Sequence, residues 1–231
     1  MPAERYLRIL NLLAGTDGSN APRLCAVAAE VTATSGAGVM LLADGRPQAS
    51  LCTTNDVSAL IEDIQYTLGE GPCVDAHRSG RVVSEPDLGA SGLPWVEFSR
   101  RAAGAGVQAV FGYPIRLGTV RLGALNLYRD RPGALSDDQH ANALVVADLA
   151  ARAILDSQAN APPGAIGIHV EEGFDLWAVV HQAAGMISVQ LDVPIADALV
   201  RLRAHAFATD RLVAEVARDV IDRRFRLGTE K

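Results

Sequence analysis

Apolar residues recur at helical spacing over residues 5–14 and 23–32, and Gly15-Thr16-Asp17-Gly18-Ser19 between them reads as a turn, so two N-terminal helices are predicted. Val39-Met40-Leu41-Leu42 and Ala49-Ser50-Leu51-Cys52 are short runs flanking Asp44-Gly45-Arg46-Pro47, a hairpin signature. Helical spacing resumes over residues 56–68 through Val57, Leu60, Ile61, Ile64 and Leu68, with Asn55 or Asp56 as the N-cap. The loop Gly69-Glu70-Gly71-Pro72-Cys73 breaks that helix, and residues 81–84 form a brief strand. Residues 93–105 read as helix. Residues 108–117 and 121–129 then pair across Gly118-Thr119, with Leu122, Ala124, Asn126 and Tyr128 alternating in the second strand. Ser136 opens a long helix with an acid-rich first turn that suits the helix dipole, and it runs to about Ser157.

Pro162-Pro163-Gly164 cannot continue a helix, and the chain divides into residues 1–157, a linker over 158–173 and a tail over 174–231. The tail has three helical patterns. In the first, Leu176, Val180, Ala183, Ile187 and Leu191 form a stripe, with Ala178, His181, Gln182, Gly185 and Ser188 opposite it. In the second, Ile195, Ala198, Leu199, Leu202 and Ala206 line one face; Arg201 and His205 point outward and Arg203 lies at the edge. The third packs through Leu212, Val213, Val216 and Val220 and leaves Arg211 and Arg218 outside. Strands and helices mixed in this order give an α+β fold: an antiparallel sheet with flanking helices, then an all-α three-helix bundle.

The net charge of −6 argues against an indiscriminate nucleic-acid coat, which rests on neutralising phosphates. Between Phe174 and Leu227 seven acids meet seven arginines, so any nucleic-acid contact there depends on local placement of charge. Cys25, Cys52 and Cys73 lack the short paired spacings of zinc or redox motifs and suit a reduced compartment. No His shows metal-ligand spacing, and His77, alone in a polar loop, is expected to be solvent-exposed. Apolar runs fall short of the roughly 18 to 20 residues a bilayer span needs, so a soluble, cytoplasmic protein without membrane contact is expected.

The segments Gly38-Val39-Met40-Leu41-Leu42, Gly69-Glu70-Gly71-Pro72-Cys73, Gly80-Arg81-Val82-Val83, Pro114-Ile115 and Gly123-Ala124-Leu125-Asn126-Leu127-Tyr128 resemble a GAF sensor domain over about residues 23–155. That resemblance implies a small-molecule pocket near Cys73, Val83, Trp95, Phe98 and Tyr113, its ligand unidentified. In the tail, Gln182-Ala183-Ala184-Gly185-Met186 and the pattern Ala198-Leu199, Leu202-Arg203, Ala206 resemble the ANTAR domain over about residues 174–225. This resemblance implies binding of RNA stem-loops in nascent transcripts and transcription antitermination, with Gln182, Gly185, Arg201, Arg203, His205, Arg211 and Arg218 as contacts. Members of that family often carry Lys where Ala184 stands, which weakens any phosphate contact assigned to the first helix. A neutral module binds loops weakly alone, so a homodimer is expected, built from the N-terminal helices and Leu144, Ala147, Ala151 and Ile154 of the long helix.

No catalytic residue, metal or cofactor is assigned. Two alternatives are kept. Some GAF proteins reduce free methionine sulfoxide with pocket cysteines, but the three cysteines here lack that family's local motif. Three small helices also build DNA-binding folds, but residues 203–210 lack the Gly-containing turn and polar recognition helix that major-groove reading prefers.

Overall fold

The computed structural model describes residues 2–14, 21–90, 92–159 and 175–228. The proposed turn at 15–19 and nearly all of the linker fall outside the described residues. Helices α1 (Pro2–Leu13) and α2 (Ala21–Thr32) precede a hairpin of β1 (Gly36–Ala43) and β2 (Arg46–Thr53). Then come α3 (Asp56–Leu68), α4 (Pro72–Ser79), β3 (Val83–Glu85), α5 (Val96–Gly104), the hairpin β4 (Ala109–Leu117) and β5 (Val120–Arg129), and α6 (Asp137–Ala159). The strands form one antiparallel sheet in the order β2-β1-β5-β4-β3.

Strand alternation gives the sheet two unlike faces. Val39, Leu41, Phe111, Tyr113, Leu125 and Leu127 share an apolar cluster with Leu24, Val146, Ala150 and Ile154, so α2 and α6 cover that side. Ala147, Ala151 and Ile154, expected in a dimer seam, are buried in this cluster; of that stripe only Leu144 is exposed. Gly38, Met40, Gly112, Ala124 and Asn126 project to the other side, under α3 and α4.

Helix α3 starts with a reciprocal cap: the Ser58 N–H donates to Asn55 Oδ1 at 2.9 Å and the Asn55 N–H donates to Ser58 Oγ at 3.0 Å. Tyr128 Oη donates to the same Asn55 oxygen at 3.1 Å, tying the cap to the sheet. Gly69, at φ 67°, ends α3 in the left-handed region. The next segment was expected as loop, yet Pro72 opens α4 as its first residue, where a missing N–H costs nothing. Helix α4 settles onto the sheet at Gly112, where any Cβ would overlap the Pro72 carbonyl.

The expectation of unpaired, reduced cysteines is corrected: Cys25 on α2 and Cys52 on β2 form a disulfide, with Cα atoms 6.0 Å apart. Their separation of 27 residues hides the pairing from motif spacing, and the packing of α2 on the β1–β2 hairpin creates it. Cys73 is free and buried.

Helices α7 (Asp175–Leu191), α8 (Ile195–Ala208) and α9 (Val213–Ile221) form a bundle around Val180, Ala183, Ile187, Ala198, Leu202, Val213, Val216 and Val220. Ile195, expected inside, is 55% exposed at the start of α8. The bundle rests on α3 and touches β2.

Candidate functional site

Helix α3 turns Glu62 and Gln65 toward the sheet. Glu62 lies directly over Gly38, where a Cβ would overlap its carboxyl group. Asn126 sits beside Gly38 in the β1–β5 register and beside Gly112 in the β4–β5 register. All three side chains are buried: Glu62 is 1% exposed, Gln65 and Asn126 0%. Gln65 Oε1 accepts the Cys73 N–H at 2.8 Å, but Gln65 Nε2, both carboxyl oxygens of Glu62 and both amide atoms of Asn126 have no partner. An unsatisfied buried polar group costs about 1–3 kcal/mol, so this cluster is maintained against stability.

Burial pushes the Glu62 carboxyl up to about 8; the nearby Ser50 hydroxyl opposes this weakly, without meeting hydrogen-bond geometry. Near neutral pH the group is therefore largely a carboxylic acid, both donor and acceptor. Burial also pushes the Cys73 thiol up, with Glu62 adding to the effect. Such a site complements a small neutral molecule carrying donors and acceptors, not a phosphate.

The expected pocket residues divide. Cys73 adjoins the polar cluster. Trp95 and Phe98 pack edge to face at 6.1 Å in an apolar cluster that half-buried Val83 joins, and Trp95 Nε1 donates to Asp75 Oδ2 at 2.8 Å. Tyr113 is a correction: alternation along β4 sends it to the opposite face, where its hydroxyl meets His140 Nδ1 at 2.9 Å under α6. His77, expected in an exposed loop, is 5% exposed on α4, and burial lowers its pKa. Glu62, Gln65 and Asn126 were missed: Asn126 gave a signal, a polar residue on the alternating set of β5 with Ala124, whereas Glu62 and Gln65 lie off the apolar stripe of α3 and read as surface residues.

On the bundle, Gln182, Arg201 and Arg218 are exposed, and half-buried Gly185 has no atom within 4 Å of where a Cβ would stand. Three other expected contacts are engaged within the chain. The Arg203 guanidinium stacks 4.1 Å over the Tyr66 ring of α3, which corrects its reading as an edge residue open to RNA. His205 is half-buried and stacks on Phe225 at 4.3 Å, not outward. Arg211 pairs with Asp219 at 2.7 Å and Glu215 at 3.6 Å. Ala184 is 0% exposed, so its position faces the bundle core and offers no phosphate contact.

The outer side of α3 receives the bundle. The Val213 N–H donates to Thr67 Oγ1 at 3.2 Å, and Thr67 Oγ1 lies 3.5 Å from Asp63 Oδ1. Asp63 is 4% exposed and pushed up to about 7, mainly by burial and then by Glu215, against the pull of Arg218, Thr67 and Arg101. Glu62 and Asp63, and likewise Gln65 and Tyr66, are thus adjacent residues about 100° apart around one helix, the first turned to the sheet and the second meeting the bundle.

Among the described residues no group of three or more His, Cys, Asp or Glu is arranged to hold a metal ion, and no single helix is long and apolar enough to cross a membrane. No curated protein matches the chain. Among solved structures it is similar to the GAF domain of a phosphoenolpyruvate-protein phosphotransferase from Coxiella burnetii, at 14% identity and a TM-score of 0.53, covering 68% of this chain and 95% of that one. It is also similar to the GAF domain of the Acinetobacter phosphoenolpyruvate-protein phosphotransferase, at 12% identity and a TM-score of 0.50, covering 70% and 96%. These likenesses show the fold. The GAF domain profile matches residues 21–155, and on that match, more than half its length, the chain belongs to the GAF domain family.

Proposed function

We propose that the chain is a signal-responsive RNA-binding regulator. A small neutral ligand hydrogen-bonded by Glu62, Gln65 and Asn126 sets how the sensory part, residues 1–157, grips the bundle of residues 174–231. The bundle, resembling ANTAR, binds stem-loops in nascent transcripts and acts in antitermination. The observation that carries this reading is the double use of α3, whose inner side holds the unpartnered polar cluster and whose outer side holds Arg203 and Val213. Exposed Gln182, Arg201 and Arg218 supply the first RNA contacts, and Arg203 joins them when it leaves Tyr66. Fully buried Cys73, its thiol pushed up by burial, suits a sensor better than a thiol enzyme.

A homodimer completes the reading, since two neutral modules held together gain affinity for paired loops. Exposed Leu7 and Leu10 on α1 and Leu144 on α6 provide the apolar contact, on helices already joined by an Arg5–Asp138 ion pair. Transcript binding implies a cytoplasmic protein, where reducing conditions would open the Cys25–Cys52 bond and leave α2 held by its packing and by the Asn142 Nδ2 bond to the Val31 carbonyl.

Selection of ligands by the full chain from a mixed pool of structured RNA and duplex DNA tests the output. Enrichment of paired stem-loops, weakened in an Arg201→Ala/Gln182→Ala variant, is expected. Enrichment of duplex DNA alone refutes it.

A further inference from the structure

A cleft of about 290 Å³ opens between α3, α5 and the turn joining α8 to α9. Leu60, Ile64 and Leu212 give it an apolar floor, and Arg100, Arg101 and Asp210 stand at its rim. The two arginines lie on one turn of α5 and share the carboxylate of Glu97 at 2.6 Å each. Glu97 is held down to about 2 by its bonds to Arg100 and Arg101, a measure of the positive field there. One carboxylate against two guanidinium groups leaves a local positive charge. Asp210, reaching across from the bundle, balances it at 2.7 Å from Arg101 and 3.2 Å from Arg100.

Asp210 is poorly suited to keep that place. Its side chain is 70% exposed, so water competes for its carboxylate. The Arg101 side chain, by contrast, is 11% exposed and keeps its charge partly out of water whichever carboxylate meets it.

We propose that this cleft binds a small organic carboxylate with an apolar body, its carboxylate replacing Asp210 on Arg100 and Arg101 and its body covering Leu60, Ile64 and Leu212. Binding exchanges an exposed ion pair within the chain for a carboxylate that also buries hydrocarbon. Among the described residues, both ion pairs between α5 and the bundle end on Asp210, so the ligand releases this clasp. The site lies on the opposite side of α3 from the Glu62 cluster and stands whether or not the bundle binds RNA.

Calorimetric titration of the full chain with benzoate, and with benzamide as its neutral counterpart, tests the site in wild type, Asp210→Asn, Arg101→Gln and Arg100→Gln. Removing the internal competitor in Asp210→Asn is expected to tighten benzoate binding about fivefold, the equivalent of about 1 kcal/mol. Each arginine variant weakens benzoate binding, and benzamide binds none of the proteins measurably. Absence of benzoate binding to Asp210→Asn, equal affinity in wild type and Asp210→Asn, equal binding of benzamide, or full affinity in both arginine variants overturns the proposal.

Discussion

Replacing Glu62 by Gln removes the buried carboxyl while keeping its shape, and the consequence is a change in how stability depends on pH. In the unfolded chain this group titrates near 4.5; in the fold, burial holds it near 8. Below pH 4.5 both states are protonated and the group contributes no difference. As pH rises above that point the unfolded chain releases the proton and the folded chain keeps it. Stability therefore falls by about 1.4 kcal/mol per pH unit and levels off above pH 8, where both states are ionised. Glu62→Gln abolishes this decline, so it gains about 4 kcal/mol on the wild type between pH 5 and pH 8, whatever constant offset its new amide introduces. Asp63, near 7 in the fold, has the same sign over a lower window and leaves the variant a residual slope below pH 7. Urea unfolding followed by circular dichroism at pH 5, 6, 7 and 8 reads the difference directly. Two stability profiles that run parallel across this range would refute the assignment of Glu62 as a buried, unpaired acid.

Asn126→Leu should raise the stability of the ligand-free protein by about 1–3 kcal/mol, because it removes two unpartnered polar atoms from the interior; unchanged or lower stability in a urea titration counts against the site. Cys25→Ser should lower stability by about 3–4 kcal/mol relative to the oxidised protein, as expected for a cross-link closing a loop of this length, and a reductant should reproduce the loss in wild type. Tyr66→Leu removes the Arg203 stack, an interaction of about 0.5–2 kcal/mol, and should speed amide exchange along α8 while the sheet exchanges as before. Equal exchange along α8 in variant and wild type would mean that this contact does not hold the bundle.

The elements that follow one strong period were legible in the chain. The spacing of Val57, Leu60, Ile61, Ile64 and Leu68 marked α3, and Asn55 marked its cap, because both signals are local. Helix α4 was not legible: the glycines before it and its first-residue proline read as a break, and it is short enough for the sheet contact at Gly112 to decide its place. The GAF resemblance put Tyr113 near the pocket, but the face of a strand residue depends on a register that only the sheet establishes. Arg203 lies off the apolar stripe of its own helix, which says nothing of a second domain covering it. Glu62, Gln65 and Asn126 were overlooked for the opposite reason: they occupy buried positions while looking like ordinary surface residues. In each case the missing information was a contact between segments distant in sequence.

The way α3 is fastened decides how it can move. Its first turn is pinned by the Asn55–Ser58 cap and the Tyr128 hydroxyl, whereas its far end runs into Gly69 and Gly71, both at positive φ. Tilting about that pinned end would make α3 a lever with its fulcrum at Asn55. At 1.5 Å per residue Tyr66 stands about 16 Å from that point, so a tilt of about 5° displaces it about 1.4 Å while Ser58 shifts less than about 0.5 Å. Glu62 and Gln65 lie on the middle and outer parts of the arm, and the seats for Arg203 and Val213 are at its tip. A tilt that shifts Glu62 by about 0.9 Å would shift Tyr66, under the bundle, by about 1.4 Å.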